Sequence, residues 1–316
     1  MRIALLLPLV FWLGSAAAQA WPSKPIRYII PFPPGGSSDL MSRAIGPRLS
    51  ERLGQPVVIE NVPGAGGMLG VDRVAKASPD GYTIGLAAAG ALSSNISLYP
   101  KMPFHPEKDL VHITPLAMVP FFLVAHPSQP GTVREIIAAE KAKPNFQYGQ
   151  GGNGSTMHLA GELFNMMTGL KIQSVPFKGS GPVSAAVLGN QIPIGVVDVT
   201  SAIANVRAGK LKALAVTSKQ RISAAPDVPT FEEAGVPGYE AVGWFGVVGP
   251  AGMPAEIVQR LNQEIAAALK VPEIRKIATD AGNEPFSTTP QEFSAMIRAE
   301  TVKWADVIKA GNIKLD

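Results

Sequence analysis

The stretch IRYIIPFPPGGSSDLMSRAIGPRLSERL, residues 26–53, decides the fold. It begins with an apolar, β-prone run that ends at Pro31, and a loop rich in glycine and hydroxyl side chains follows. Apolar residues then recur at helical spacing over 40–53, and Gly54 and Pro56 end the predicted helix. A strand, a glycine-rich loop and a helix in this order are typical of a doubly wound α/β domain.

The same pattern repeats along the chain. Predicted strands at 57–59 and 82–86 flank a second glycine loop and a helix over 68–75. A second unit runs from 146 to 217, with strands at 146–148, 172–177, 192–197 and 211–217 separated by loops and helices. The sequence therefore predicts an α/β protein with two doubly wound domains and a ligand cleft between them.

The domain boundaries follow from two apolar stretches, 116–125 and 242–248, which we interpret as the strands that enter and leave the second unit. About three hundred residues exceed what one core usually supports. We predict a first domain of residues 21–120 and 246–280 and a second domain of residues 121–245. A C-terminal helical segment, 281–316, is predicted to pack on the domains.

The first twenty residues have the pattern of a secretory signal peptide. A basic start is followed by an apolar run at 3–13 and by Ala18-Gln19-Ala20, which fits a small-x-small cleavage site. The apolar run is shorter than the roughly twenty residues that a membrane span needs. We predict cleavage near Ala20 and a periplasmic protein. Because the chain has no cysteine, its fold must rest on a hydrophobic core without disulfides.

Composition and motifs argue against several classes of function. The formal net charge of +4 arises from 28 basic and 24 acidic residues spread along the chain, so no basic patch indicates nucleic acid as a partner. The four histidines lack a metal-ligand spacing. The glycines at 149, 151 and 154 match the dinucleotide spacing, but no acidic ribose partner follows about twenty residues on. We predict no enzyme, no metal and no cofactor; a hydrolase or a dehydrogenase is the weakest alternative.

Four strand-to-helix loops form the candidate ligand site. Parallel sheets bind ligands at the carboxyl ends of their strands, and free amides at helix N-termini favour anions. Glycine lets a ligand approach the backbone closely. Each loop alone is ordinary α/β construction, and Asp39 can simply be an N-cap. Four such loops in two matched units favour a shared anion site.

The residues of these loops resemble the Bug family, the extracytoplasmic receptors of tripartite tricarboxylate transporters. The likeness begins at 25–27, 30–36 and Asp39. It continues at 53–55, 57–61, 63–67, 79–83, 148–149, 152–155, 158–159, 178–179, Asp198, 214–218, 226–230, 233–235 and 249–252. It covers nearly the whole chain after residue 20.

The resemblance implies a Venus-flytrap binding protein that closes on a small carboxylate, a class that includes dicarboxylates and aromatic carboxylates. The implied ligand-binding residues of the first domain are Phe32, Pro33, Gly35, Gly36, Ser37, Ser38 and Asp39. Those of the second domain are Gln150, Gly151, Asn153, Gly154, Ser155, Thr156, His158, Lys178, Gly179, Ser180 and Asp198. The implied partners are membrane transporter subunits or, as the alternative, a sensor protein; we expect a monomer.

Two positions depart from the family pattern. Phe177 stands where a tyrosine is often found, and Gln150-Gly151 stands where serines are common. Lys178 is either a ligand contact or a solvated loop lysine. Asp198 either holds an ammonium or hydroxyl group of the ligand or caps the helix that follows it.

Overall fold

The computed structural model describes residues 21–314, so the predicted signal peptide lies outside the described residues. The strands are β1 Ile26–Ile30, β2 Val57–Asn61, β3 Thr83–Ala88, β4 Leu110–Val119, β5 Phe121–Ala125, β6 Gln147–Gln150, β7 Gln173–Pro176, β8 Ile194–Asp198, β9 Lys212–Val216, β10 Gly243–Pro250 and β11 Glu284–Pro285. The α-helices are α1 Ser37–Leu53, α2 Met68–Ala75, α3 Asn95–Leu98, α4 Val133–Ala142, α5 Thr156–Thr168, α6 Ser180–Leu188, α7 Val199–Arg207, α8 Ala255–Leu269, α9 Pro272–Asp280 and α10 Pro290–Ala310. A 3₁₀ turn, Ala65–Gly67, precedes α2, and a π-helix, Gly90–Ser94, precedes α3.

The strands form two sheets. The first has six strands in the order β11-β4-β10-β3-β1-β2, and the second has five in the order β7-β6-β8-β5-β9. Strands β1, β2 and β3 are parallel, as are β6, β7 and β8. An antiparallel strand extends each parallel set: β10 pairs with β3 in the first sheet, and β5 pairs with β8 in the second. The predicted fold class, two α/β domains, is confirmed.

The chain passes from one sheet to the other at two places. Only Pro120 separates β4 of the first sheet from β5 of the second, so the single strand predicted over 116–125 is two strands. Proline has no N–H group for a sheet ladder, which accounts for the break. The chain returns through 217–242 to β10, where Gly243 pairs with Val119.

We propose that the domains follow the sheets, with 21–119 and 243–314 in the first domain and 120–242 in the second. The boundary predicted at 245/246 falls inside β10, which belongs wholly to the first sheet. Part of the predicted C-terminal helical segment also joins that sheet, because β11 pairs with β4.

Local signals explain where the helices begin and end. Helix α1 ends at Gly54, whose φ of 71° is a left-handed conformation that glycine adopts readily. Helices α4 and α10 begin with capping boxes, Thr132 with Glu135 and Thr289 with Glu292. Over the part of the chain that the structure describes, no helix combines the length and the apolar character needed to cross a membrane.

Candidate ligand-binding site

A cavity with about 520 Å³ of atom-free space lies between the two domains. The starts of four helices line it: α1 through Gly36 and Ser38, α5 through 155–157, α6 through 180–181, and α7 through Asp198. The amide groups at a helix start carry partial positive charge and lack partners within the helix. The cavity is therefore surrounded by the backbone groups that bind anions.

Three of these helix starts keep free amides at the cavity. Within residues 21–314, nothing accepts a hydrogen bond from the amide of Ser38 in α1, from that of Thr156 in α5, or from those of residues 180 and 181 in α6. Ser155 is the N-cap of α5, and its hydroxyl accepts from the amide of His158 at 3.2 Å. The amides nearest to the cavity thus stay available to a ligand.

Asp39 shapes the first loop without lining the cavity. It lies inside α1, whose N-cap is Gly36, so it is not the cap. Its Oδ1 accepts from Arg43 Nε at 2.9 Å and from Asn61 Nδ2 at 3.1 Å, and Asn61 also donates to the carbonyl of Phe32. Burial tends to raise the pKa of the Asp39 carboxyl, but the hydrogen bonds from Arg43, Asn61 and Gly35 outweigh it and lower that pKa.

Asp198 joins the two domains. Its Oδ1 caps α7 by accepting from the amide of Ser201 at 2.9 Å. Its Oδ2 accepts from the amide of Ser37, at the start of α1 in the other domain, at 3.1 Å. Burial raises the pKa of this carboxyl, and the hydrogen bonds from Ser201 and Ser37 oppose that effect. Asp198 therefore caps its own helix and also lines the cavity.

Gln150 and His158 support the loop between β6 and α5. Gln150 is fully buried; its Oε1 accepts from the amide of Gly152 at 2.6 Å, and its Nε2 donates to Asn153 at 2.9 Å. The Nδ1 atom of His158 accepts from the amide of Gly154 at 3.4 Å. Neither side chain lines the cavity, so both hold the shape of the loop.

A second, outer cavity of about 750 Å³ lies on the other side of Phe32. The loop after β2 and the loops after β6 and β7 line it, together with Tyr99. Lys178, which is exposed, borders this outer cavity and not the inner one.

The predicted site residues thus divide into three groups. The inner cavity is lined by Phe32, Pro33, Gly36, Ser38, Ser155, Thr156, Ser180 and Asp198. The outer cavity is lined by Phe32, Gly151, Asn153 and Lys178. Neither is lined by Gly35, Ser37, Asp39, Gln150, Gly154, His158 or Gly179.

Sequence reasoning missed the apolar part of the inner wall, which comprises Ala88, Val119, Phe121, Met157, Gly181, Gly243, Trp244 and Phe245. Most of these residues lie at the ends of β3, β4, β5 and β10, and at the last three of these strands the chain passes between the domains. The sequence did contain one signal for this wall. It predicts that 116–125 and 242–248 are the strands through which the chain enters and leaves the second unit, and a strand that connects two domains must lie at the floor of the cleft between them.

The two domains are in contact across the cleft. The hydroxyl of Tyr99 donates to the carbonyl of Asn153 at 2.9 Å. At Gly66, a Cβ atom would lie 2.5 Å from the same carbonyl oxygen, so only glycine allows this approach. The structure is therefore that of the closed arrangement. Within residues 21–314, no group of three histidine and acidic side chains is placed to hold a metal ion.

Two α/β domains that meet at a cavity lined by helix starts are the arrangement of a two-domain solute-binding protein. Residues 41–313 match the model of the tripartite tricarboxylate transporter family receptor, and the chain belongs to this family. The predicted Bug-type resemblance is thereby confirmed. The family consists of solute-binding receptors and not of enzymes, which removes the hydrolase and dehydrogenase alternatives.

Relatives along the whole chain agree with this assignment. The chain is 37% identical to protein BugT of Bordetella pertussis over 302 residues, which cover 95% of this chain and 93% of the relative. The structure of R. palustris Rpa4515 with adipate is similar with a TM-score of 0.89 at 35% identity, covering 93% and 99% of the two chains. That of MatC from Rhodopseudomonas palustris with bound malate has a TM-score of 0.87 at 31% identity, covering 91% and 100%.

Proposed function

We propose that the protein captures a small carboxylate in the periplasm by closing its two domains and delivers it to a tripartite tricarboxylate-type transporter. The observation that carries this proposal is the inner cavity, where helix starts from both domains meet and unpartnered amides of α1, α5 and α6 remain. The adipate and malate in the two related structures support a carboxylate as the ligand.

Binding and closure are coupled because the two domains each supply part of the site. A carboxylate that first meets the amides of α1 gains the contacts of α5 and α6 only when the second domain closes. A ligand shifts a conformational equilibrium by its difference in affinity for the two states. The carboxylate therefore stabilises the closed form, in which a transporter would recognise the loaded receptor.

A thermal-shift and calorimetric screen of residues 21–316 tests this function. Aliphatic and aromatic mono-, di- and tricarboxylates are compared with their uncharged amides. A ligand at one hundred times its Kd stabilises the native state by about 2.7 kcal/mol, which should raise the Tm by about 5 °C or more. We expect at least one carboxylate to do so and its amide to have no effect. If no carboxylate binds, the proposed function is wrong.

A further inference from the structure

Among the described residues, Phe32 is the one that lines both the inner and the outer cavity. Its ring packs against that of Phe245, which lines the inner cavity, with the two ring centroids 6.3 Å apart. On the side of the outer cavity, a Cβ atom at Gly67 would lie 3.0 Å from the tip of the Phe32 ring. The ring therefore stands between the two cavities.

Both domains hold Phe32 in this position. The carbonyl of Phe32 accepts a hydrogen bond from Asn61 Nδ2 at 2.9 Å, which fixes the backbone of the loop before α1. From the second domain, a Cβ atom at Gly179 would lie 2.9 Å from Pro33 and 3.9 Å from the Phe32 ring. Because the second domain packs against this loop, closure of the domains leaves the ring little room to turn away.

Met157 continues the partition from the second domain. It lies in the first turn of α5 and lines the inner cavity. A Cβ atom at Gly151, which lines the outer cavity, would collide with the methyl group of Met157. Met157 thus separates the inner cavity from the loop after β6, as Phe32 separates it from the loop after β2.

We propose that Phe32 limits the length of the ligand that the protein accepts, an inference that rests on the proposed function. The carboxylate of the ligand binds the helix-start amides, and its remaining atoms must fit in the inner cavity, because Phe32 and Met157 close the way to the outer cavity. Without the Phe32 ring, the space beside Phe245 opens to the space beside Gly67. A longer acid can then extend into the outer cavity.

A chain-length series measured by calorimetry tests this inference. Linear monocarboxylates from butyrate to decanoate and diacids from succinate to sebacate are titrated into the wild type and into Phe32→Ala. We expect the affinity of the wild type to fall beyond a certain length and Phe32→Ala to bind the acids just beyond that length more tightly. Each methylene that becomes buried contributes about fourfold, so an acid two methylenes too long for the wild type should gain about fifteenfold.

Two further variants keep the test independent of how well Phe32→Ala folds. Phe32→Leu retains a shorter apolar side chain and should give a length limit between those of the wild type and Phe32→Ala. Met157→Ala removes the half of the partition that the second domain supplies, and it should also shift the limit to longer acids.

The matched control is Phe286→Ala. Phe286 is a half-buried phenylalanine of the first domain, as Phe32 is, but it lines neither cavity. Its replacement should leave the length limit of the wild type unchanged. A longer limit in Phe286→Ala would mean that any loss of a ring from this domain relaxes the selection, which contradicts a specific role for Phe32.

The outcomes separate this inference from the proposed function. If short acids bind and folded variants at Phe32 and Met157 keep the length limit of the wild type, the partition does not select the ligand, and carboxylate capture stands. A wild type whose affinity does not fall with length over the whole series would also overturn the inference alone. If no acid binds to the wild type or to any variant, the proposed function is wrong and the inference is wrong with it.

Discussion

Asp198 is the one acidic side chain among the described residues that line the inner cavity. Its carboxylate completes the first turn of α7 and also meets the start of α1, where a ligand anion would otherwise find the amide of Ser37. The protein therefore fills part of its own anion site. This arrangement leaves the amides of Ser38, of the start of α5 and of the start of α6 without an acceptor.

The buried carboxyl of Asp198 should make stability depend on pH. Burial raises its pKa in the folded protein above that of the unfolded chain, so its contribution to stability is greatest at low pH and falls as the pH rises through the folded-state pKa. In the variant Asp198→Asn, the asparagine side chain stays neutral at every pH and can still cap the helix. We expect the Tm of the wild type, relative to that of the variant, to increase as the pH is lowered from 7 to 4.

The control for this titration is Asp227→Asn, an exposed aspartate of the same domain. It makes the same substitution away from the cleft, so the comparison isolates the effect of the buried position. A Tm difference for Asp198→Asn that is constant, or that grows in the opposite direction, would show that the carboxyl is not held in the buried environment described.

At the scale of elements, α5 offers its first amides to the cleft. Thr156 is the first residue of this helix, and Ser155 before it has an extended backbone with φ −69° and ψ 156°. Proline is accepted at this position, because its φ suits the helix and its missing N–H is not needed for helical hydrogen bonds. A proline at Thr156 therefore deletes one candidate ligand contact with little effect on the helix.

Thr156→Pro should weaken carboxylate binding about tenfold or more relative to Thr156→Ala, which keeps the amide. A hydrogen bond to a charged group contributes about 1.5 to 3 kcal/mol, and about 1.4 kcal/mol is a factor of ten. Calorimetry on both variants measures the difference. Ala255→Pro, at the exposed first position of α8, is the control and should bind as the wild type does. Equal affinities for Thr156→Pro and Thr156→Ala would exclude this amide from the site.

The order of strands and helices could be predicted from sequence because each depends on local patterns. The run at 26–30, the helix that ends at Gly54 and the repeated unit all carry their signals within a few residues. No local sequence pattern indicates the hydrogen-bond partners of Gln150 and Asp39. In the structure these side chains are bonded to Gly152 and Asn61.

The apolar wall could not be predicted because it depends on distant residues. Val119 and Gly243 lie far apart in sequence and become neighbours only through the pairing of β4 with β10. Phe121 and Phe245 are unremarkable strand residues in the sequence, since buried strands are usually apolar on both faces. Only the position of both strands at the floor of the cleft gives them a place in the ligand site.

At the scale of the whole molecule, polar contacts outside the cavity also hold the domains together. The hydroxyl of Thr200 donates to the carbonyl of Ala281 at 3.1 Å, accepts from Asn283 at 3.1 Å and lies 2.7 Å from Ser37 Oγ. Thr200 belongs to the second domain and its three partners to the first. These bonds can form only when the domains are closed.

Thr200→Val should therefore weaken carboxylate binding although Thr200 lines neither cavity. We expect the affinity to fall about threefold to tenfold, because the closed state loses hydrogen bonds that the open state does not make. Calorimetry gives the affinity, and small-angle scattering gives the closed fraction at saturating ligand. Thr301→Val, whose hydroxyl bonds only within α10, is the control. An unchanged affinity would show that these contacts do not contribute to closure.

The pairing of Val119 with Gly243 has a consequence for protein engineering. Because the chain leaves and re-enters the first sheet at two directly opposed residues, 120–242 is an insertion with both ends at one point. Two splice sites, one on each side of this insertion, are therefore enough to graft the corresponding segment of another receptor onto the first domain. The first domain would keep its α1 amides, and the graft would bring the other half of the recognition surface. Receptors with new ligand specificities can then be made by combining the first domain of one receptor with the second domain of another.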